Sequence, residues 1–334
     1  MDEVIGSWSG ARDIPLVVGY HRVVEDFASS AENSIPSMLV SLKMLEEHLD
    51  WIGRRYRFVD LNEVGARLES RDCGNDPIAA VTFDDGYGDF YDHALPVLQK
   101  KGIPAAVFVV SGLVGTKHLQ LHDRLYLLLA RRFRRRMRRS GVRTAFPFPG
   151  IDAMTPYRAM RTLLETLPLA AIEQVTQALE AEDPIEEDTF KSFQALTWEE
   201  LDAIHHAGFK IGSHTKSHVL MTNESRERVQ DELMGSRQDL ERRLPTRIRH
   251  IAYPSGSWDT HSVAAAAAAG YRYGFTGCMH RDARYPLLTI PRVMLWQDAC
   301  LDSHRVFSES LLSCQVHRAF ELVTGCRQCH EASQ

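Results

Sequence analysis

Ile78-Ala79-Ala80-Val81-Thr82-Phe83-Asp84-Asp85-Gly86-Tyr87 is the stretch on which the fold turns. Six uncharged residues read as a buried strand, and two carboxylates follow at its C-terminal tip. Charges in that place are costly unless a metal, a partner or chemistry holds them. Neighbouring side chains on a strand point to opposite faces. Two aspartates there take different tasks only if the strand ends and the backbone turns between them. Gly86 can supply that turn. Asp-Asp-Gly also makes ordinary turns, so its meaning depends on what stands elsewhere in the chain.

A second constellation, Gly212-Ser213-His214-Thr215-Lys216-Ser217-His218, follows the short apolar stretch Phe209-Lys210-Ile211. Histidines four apart can share one face of a helical turn and chelate one ion. One carboxylate from elsewhere completes a two-histidine, one-carboxylate site with open positions for water and substrate. With 15 histidines scattered along the chain, spacing alone fits a pair of surface histidines equally well. The upstream Asp-Asp strand end tips the balance towards a site. A third piece, Ile251-Ala252-Tyr253-Pro254-Ser255-Gly256, is again a strand running into a turn.

In this order the motifs resemble the polysaccharide deacetylase family, the NodB-homology domain of carbohydrate esterase family 4. The matching pieces are Thr82-Phe83-Asp84-Asp85-Gly86, Ser213-His214 with His218, and Tyr253-Pro254-Ser255-Gly256. They extend to Ala269–Thr276 and to Ile290-Pro291-Arg292-Val293. Val17–Val23, with His21, looks like the first strand of one branch of the family. The resemblance covers roughly residues 14 to 115 and 190 to 295. It implies that Asp85, His214 and His218 bind a divalent metal and that Asp84 is the catalytic base. It also implies that the backbone N–H of Tyr253 helps bind the oxyanion. Zn²⁺ is the expected ion, and a His₂Asp site also accepts Co²⁺, Ni²⁺ or Fe²⁺.

Amide hydrolysis needs a nucleophilic water, a base, an oxyanion stabiliser and an acid for the leaving amine. Two parts of the family pattern are missing. No arginine stands just before the turn in Ile251-Ala252-Tyr253-Pro254, and no late Leu-x-His motif supplies the acid. Arg292, after a late strand, is the candidate to orient the base. His21, at the end of the first strand, is the candidate acid or substrate contact, and a buried structural role fits it as well. Tyr87, Pro254 and Trp296 are candidate substrate contacts. The expected reaction is removal of the N-acetyl group of an N-acetylhexosamine in a polysaccharide, oligosaccharide or lipid-linked glycan. Rival readings are another metal-dependent C–N hydrolase acting on a small amide, imide or ureide, and a non-catalytic carbohydrate-binding protein.

Strand-like runs alternate with helical stretches, which implies parallel strands with right-handed crossovers. The expected fold class is α/β, a distorted (β/α) barrel of about seven parallel strands with a helical insertion. The barrel should occupy residues 14–300 and be interrupted by the insertion at about 116–191, with a C-terminal helix and flexible tail at 301–334. Expected strands include Phe58–Leu61, and expected helices include Val40–Arg54. The insertion should set substrate access. Its run Arg131–Arg139 has seven arginines in nine positions, spread all round a helix. A solvated helix is the plain reading, and contact with anionic lipid headgroups, a lipid-linked sugar or an acidic polymer is the sharper one.

The composition is that of an ordinary globular chain, 44% hydrophobic and 25% charged. A net charge of −5 gives no reason to expect nucleic acid as a partner. No stretch reaches signal or transmembrane length, so a cytoplasmic location is expected. The six cysteines do not suggest a disulfide scaffold. Cys326-Arg327-Gln328-Cys329-His330 matches the c-type haem attachment pattern, but an incidental metal-binding tail is the preferred reading and no haem is expected.

Overall fold

Short, nearly uninterrupted apolar runs become parallel strands covered by helices on their outer face. The computed structural model describes residues 15–70, 76–138, 148, 150–324, 326 and 330. The strands are β1 (Leu16–Tyr20), β2 (Arg22–Val24), β3 (Leu39–Ser41), β4 (Arg57–Phe58), β5 (Ile78–Phe83) and β6 (Ala105–Val109). They continue with β7 (Lys210–Ser213), β8 (His250–Ala252), β9 (Tyr273–Thr276), β10 (Ile290–Pro291) and β11 (Val293–Met294). The main sheet runs β10-β9-β8-β7-β6-β5-β1-β11, and every pairing in it is parallel.

The two ends of that order are one piece of chain. Ile290 and Pro291 pair with β9, Val293 and Met294 pair with β1, and only Arg292 stands between. Taken as one strand, Ile290–Met294 closes the sheet into a barrel of the expected seven strands. Short β4 pairs with the start of β5, before β6 takes over that edge. β2 and β3 form a separate two-stranded sheet.

The helices of seven or more residues are α1 (Leu42–Gly53), α2 (Leu61–Ser70), α3 (Leu95–Lys101), α4 (Leu121–Arg138), α5 (Pro156–Thr166), α6 (Leu169–Glu182), α7 (Trp198–His206), α8 (Arg226–Arg243), α9 (Thr260–Ala268) and α10 (Glu309–Val316). Local chemistry sets several of their starts. Thr197 accepts from the Glu200 N–H while Glu200 accepts from the Thr197 N–H, a reciprocal cap on α7. Two expected boundaries move. Leu39–Ser41 pairs with β2, so α1 starts later than Val40. The strand expected at Phe58–Leu61 ends at Phe58, because the Asp60 carboxylate accepts from the Glu63 N–H and starts a helix, α2, absent from the sequence reading.

Inside the barrel, Phe108 and Phe275 lie against Val17, Ala80, Ala106, Ala252 and Ile290. Val64 of α2 joins the same cluster, together with Ile78 and Tyr273 from the first residues of β5 and β9. Helix α2 thus plugs the N-terminal mouth and leaves the C-terminal mouth for chemistry. The helical jacket packs on the opposite strand faces through residues such as Leu45, Leu98, Ile204, Leu233 and Val263.

The insertion builds its own apolar cluster, in which Leu125, Leu128 and Leu129 of α4 meet Met160 and Leu163 of α5 and Ile172, Val175 and Leu179 of α6. Four arginines of its 131–139 run are answered within the insertion. Arg131 donates to Asp183 at 3.1 and 3.2 Å, Arg135 meets Asp183 at 3.0 Å, and Arg132 meets Glu182 at 2.8 Å. Arg136 faces Asp152. Four of the seven arginines thus have acidic partners within the insertion, and Met137 stands 75% exposed among them. Arg139 lies outside the described residues. No helix among the described residues is long and apolar enough to cross a membrane.

The plug gives a test of close packing. A Cβ at Gly65 would lie 2.2 Å from the Tyr273 ring, which stacks on His250 and donates its hydroxyl to Glu69. Alanine gains about 1 kcal/mol of helix propensity, but overpacking costs about 1–3 kcal/mol. Gly65→Ala is expected to lower stability, read as a reduced urea midpoint with an unchanged slope. An unchanged or raised midpoint would contradict the packing described here.

Candidate metal and catalytic centre

Strand β5 ends at Phe83, and the chain then turns sharply. Asp85 has φ 71° and Gly86 has φ 69°, both left-handed. Such a φ is uncommon for any residue but glycine, and aspartate tolerates it better than most. A Cβ on Gly86 would come within 2.8 Å of the Val109 side chain. The turn sends the two carboxylates in different directions, as the sequence requires.

Asp85 is 2% exposed, and neither carboxylate oxygen accepts a hydrogen bond. Oδ1 faces His218 Nε2 at 3.2 Å and His214 Nε2 at 3.5 Å. Oδ2 faces His122 Nε2 at 3.7 Å. The His214 Nδ1–H donates to the Ala252 carbonyl at 2.8 Å, which leaves a lone pair on Nε2. A carboxylate oxygen and an imidazole lone pair facing each other in a buried place call for a cation between them. One ligand atom each from Asp85, His214 and His218 lies within 4.8 Å of the others, so this donor set fits a divalent ion with positions left open. Burial disfavours charge on His218, but Asp85 beside it raises its pKa above the usual value. Burial likewise opposes charge on Asp85, yet His218 and His122 hold it far below the usual carboxylate range. Burial pushes His214 down to about 4.

Asp84 turns towards the seam. Burial opposes its charge, but Arg292 draws its pKa down. Arg292 grips the carboxylate with both forks, Nη1 to Oδ1 at 2.7 Å and Nη2 to Oδ2 at 2.6 Å. Nη1 also donates to Thr82 Oγ1 at 3.1 Å. Parallel pairing of Tyr20 with Phe83 brings half-buried His21 level with Asp84, and Asp84 N–H donates to the Tyr20 carbonyl at 2.8 Å. Pairing of Gly19 with Met294 carries half-buried Trp296 to the same height.

Three expectations need correction. The Tyr253 N–H donates to the Phe275 carbonyl at 3.1 Å, so the sheet holds the amide assigned to the oxyanion. Tyr87 is 2% exposed and its hydroxyl donates to Asp123 at 2.5 Å, so it braces the insertion and offers no surface to a substrate. Pro254 is buried in its turn.

The sequence reading also missed residues. Gln120, His122 and Asp123, at the start of the insertion, enter the site. The Gln120 amide donates to the Asp85 carbonyl at 2.9 Å, and His122 meets the Tyr87 hydroxyl at 2.9 Å. Burial drops His122 to about 3 and lifts Asp123 to about 7. A polar Gln-Leu-His-Asp opening just ahead of the apolar run Leu125–Ala130 was the available signal. Thus the insertion, expected to act on substrate choice alone, lends its first turn to the centre.

Helix α8 holds the histidine loop. Buried Glu232 accepts the Lys216 and Ser217 N–H groups at 2.9 and 2.8 Å with one oxygen and meets Arg228 at 2.8 Å with the other. Thr215 and His218 stand at φ 63° and 56°, so this clamp fixes a loop with no relaxed alternative in place.

The chain is similar in sequence and in fold to known proteins. The sequence model of the family described as Polysaccharide deacetylase matches residues 71–147 and 151–274. YxkH of Bacillus subtilis (strain 168) is 21% identical over 250 residues, 74% of this chain and 62% of YxkH. The poly-beta-1,6-N-acetyl-D-glucosamine N-deacetylase of Staphylococcus aureus (strain MSSA476) is 31% identical over 120 residues, 32% of this chain and 40% of that protein. The chain thus spans less than two thirds of the curated relatives it matches. Among solved structures, Streptococcus pyogenes deacetylase PplD in complex with acetate has a similar fold, with a TM-score of 0.58 at 19% identity, over 91% of this chain and 97% of that one.

Glu232→Ala should release the histidine loop. The bonds of Glu232 go to the backbone between His214 and His218, so freeing that loop is expected to weaken metal binding on the scale of about 10–100-fold seen for groups that orient metal ligands. That loss, measured by competition with a chromogenic chelator, is the expected result, and wild-type affinity would show that the clamp does not matter.

Proposed function

The chain belongs to the polysaccharide deacetylase family, and on that premise we propose that it hydrolyses the N-acetyl group of an N-acetylhexosamine in a polysaccharide, oligosaccharide or lipid-linked glycan. The observation that carries this reading is the division of labour between adjacent aspartates. One carboxylate, with no hydrogen bond of its own, faces the histidines. The other is gripped by an arginine. The Staphylococcus aureus relative, whose name specifies an N-acetylglucosamine polymer, supports the substrate class.

In this reading Asp85, His214 and His218 would hold a divalent metal, and the donor set suits Zn²⁺. Such an ion supplies a water of lowered pKa and polarises the acetyl carbonyl. Asp84 takes the proton of the attacking water. Arg292 keeps that carboxylate ionised and aimed, since two parallel N–H···O bonds fix both its charge and its plane. His21, at the rim and level with Asp84, gives a proton to the departing amine. Acetate and a free amino sugar result. Trp296 offers a ring for a sugar face at the same rim.

Paired substitutions separate the two aspartates. Asp84→Asn should keep its metal and lose about 10²–10⁴ in rate, with no recovery on adding metal. Asp85→Asn should lose metal and regain part of its activity in excess metal. Acetate release and metal content are measured on both. Metal-free Asp84→Asn beside metal-replete Asp85→Asn would reverse the roles, and unchanged acetate release in both would end the deacetylase reading.

Arg292→Lys keeps the positive charge but not the fork. Its kcat should fall while metal content stays at the wild-type level. A wild-type kcat would show that aiming the carboxylate is unimportant.

A further inference from the structure

We propose that Cys278, His280, Cys326 and His330 form a second metal site, a closed Zn²⁺ site that is separate from the Asp85 centre. One sulfur or nitrogen from each lies within 4.8 Å of the others. The residues come from two distant parts of the chain. Cys278 and His280 follow β9, while Cys326 and His330 lie beyond α10 and share the spacing of the Cys-x-x-Cys-His pattern; Cys329 of that pattern is outside the described residues.

The geometry points inwards. His330 Nε2 stands 3.5 Å from Cys278 Sγ and 3.4 Å from Cys326 Sγ. The His330 Nδ1–H donates to the Trp258 carbonyl at 3.1 Å, which fixes the tautomer and leaves Nε2 free to ligate. The His330 ring stacks on Trp258 with centroids 4.1 Å apart, and its carbonyl accepts from the Thr260 N–H at 3.1 Å. The His280 ring lies 5.0 Å from that of His330. An imidazole so firmly oriented, with two sulfurs converging on one nitrogen, is the arrangement of a liganding histidine. Two thiolates and two imidazoles suit tetrahedral Zn²⁺, and four protein ligands leave no position for substrate.

The site would bolt the late segment to the turn after β8. Gly277, next to Cys278, donates its N–H to the Gly256 carbonyl at 3.0 Å. The two backbones press together so closely that a Cβ on Gly256 would meet Gly277 N at 2.5 Å. An ion held by Cys278 therefore steadies the Tyr253–Gly256 turn from outside, and its role is structural.

Sulfur makes the test independent of catalysis, because the Asp85 centre has no sulfur ligand. The full chain is stripped with a chelator under a thiol-free reductant and refilled with Co²⁺. A thiolate-to-cobalt charge-transfer band in the near ultraviolet is expected, with two ions per chain by plasma mass spectrometry. Cys278→Ser and Cys326→Ser should each abolish the band and reduce the count to one, while Asp85→Asn should remove the other ion and leave the band. Should Cys278→Ser fail to fold, Cys326→Ser decides alone, since it lies in the late segment. No band in the reduced wild-type protein, a band that survives both cysteine changes, or a Cys278–Cys326 disulfide that persists under the reductant would each overturn the proposal. Failure of acetate release would leave the spectrum unchanged, so the two readings fail separately.

Discussion

The ion pair between Arg292 and Asp84 joins the architecture of this protein to its chemistry. Both groups are buried and both forks are engaged. Removing one partner of such a pair typically costs about 3–5 kcal/mol, because the other charge is left stranded in a low-dielectric place. Arg292 is also the single residue between β10 and β11, where one strand changes partners from β9 to β1. Its backbone closes the barrel and its side chain reaches across the mouth to the tip of β5. The barrel cannot be sealed without bringing a guanidinium to Asp84, and Asp84 has no comparable partner without the seal.

Around that pair, the site is built from residues in positions of low conformational freedom. Asp85, Thr215 and His218 all have left-handed backbones. Each is held from outside, Asp85 by the Gln120 amide on its carbonyl and the histidine loop by Glu232. Such conformations persist only where the surroundings over-determine them. The cost falls where two identical side chains, one residue apart, must be made unlike.

Much of this was legible in the chain. Apolar runs at β1, β5, β6 and β9 could be read because parallel strands buried on both faces need no alternation. Asp84, Asp85, His214 and His218 stood out because charge at a strand tip has few cheap explanations. Arg292 could be suspected from its place after a late strand, although only the coordinates show its fork on Asp84. Other features depended on long-range packing. Nothing local tells that the Tyr253 amide would be taken by Phe275, or that His122 would fold back over Asp85 from the insertion. Helix α2 was hidden because Asp60 reads as part of a strand until its carboxylate is seen capping Glu63. The acids that answer four of the run's arginines could not be paired with it from the sequence, since Asp183, for one, lies 52 residues from Arg131.

The separation of Arg292 from Asp84, 208 positions along the chain, bears on how the protein comes into being. Synthesis delivers β5 and its carboxylates long before the strand that seals them. Until that strand arrives, β1 offers an unpaired edge, and Asp84 must stay hydrated or find a temporary counter-charge. Contacts of such long range form late and slow the folding of the whole chain. The paired Asp84 is therefore something the nascent chain acquires only at its last barrel strand, and the half-made barrel is the species most exposed to edge-to-edge association and in greatest need of protection.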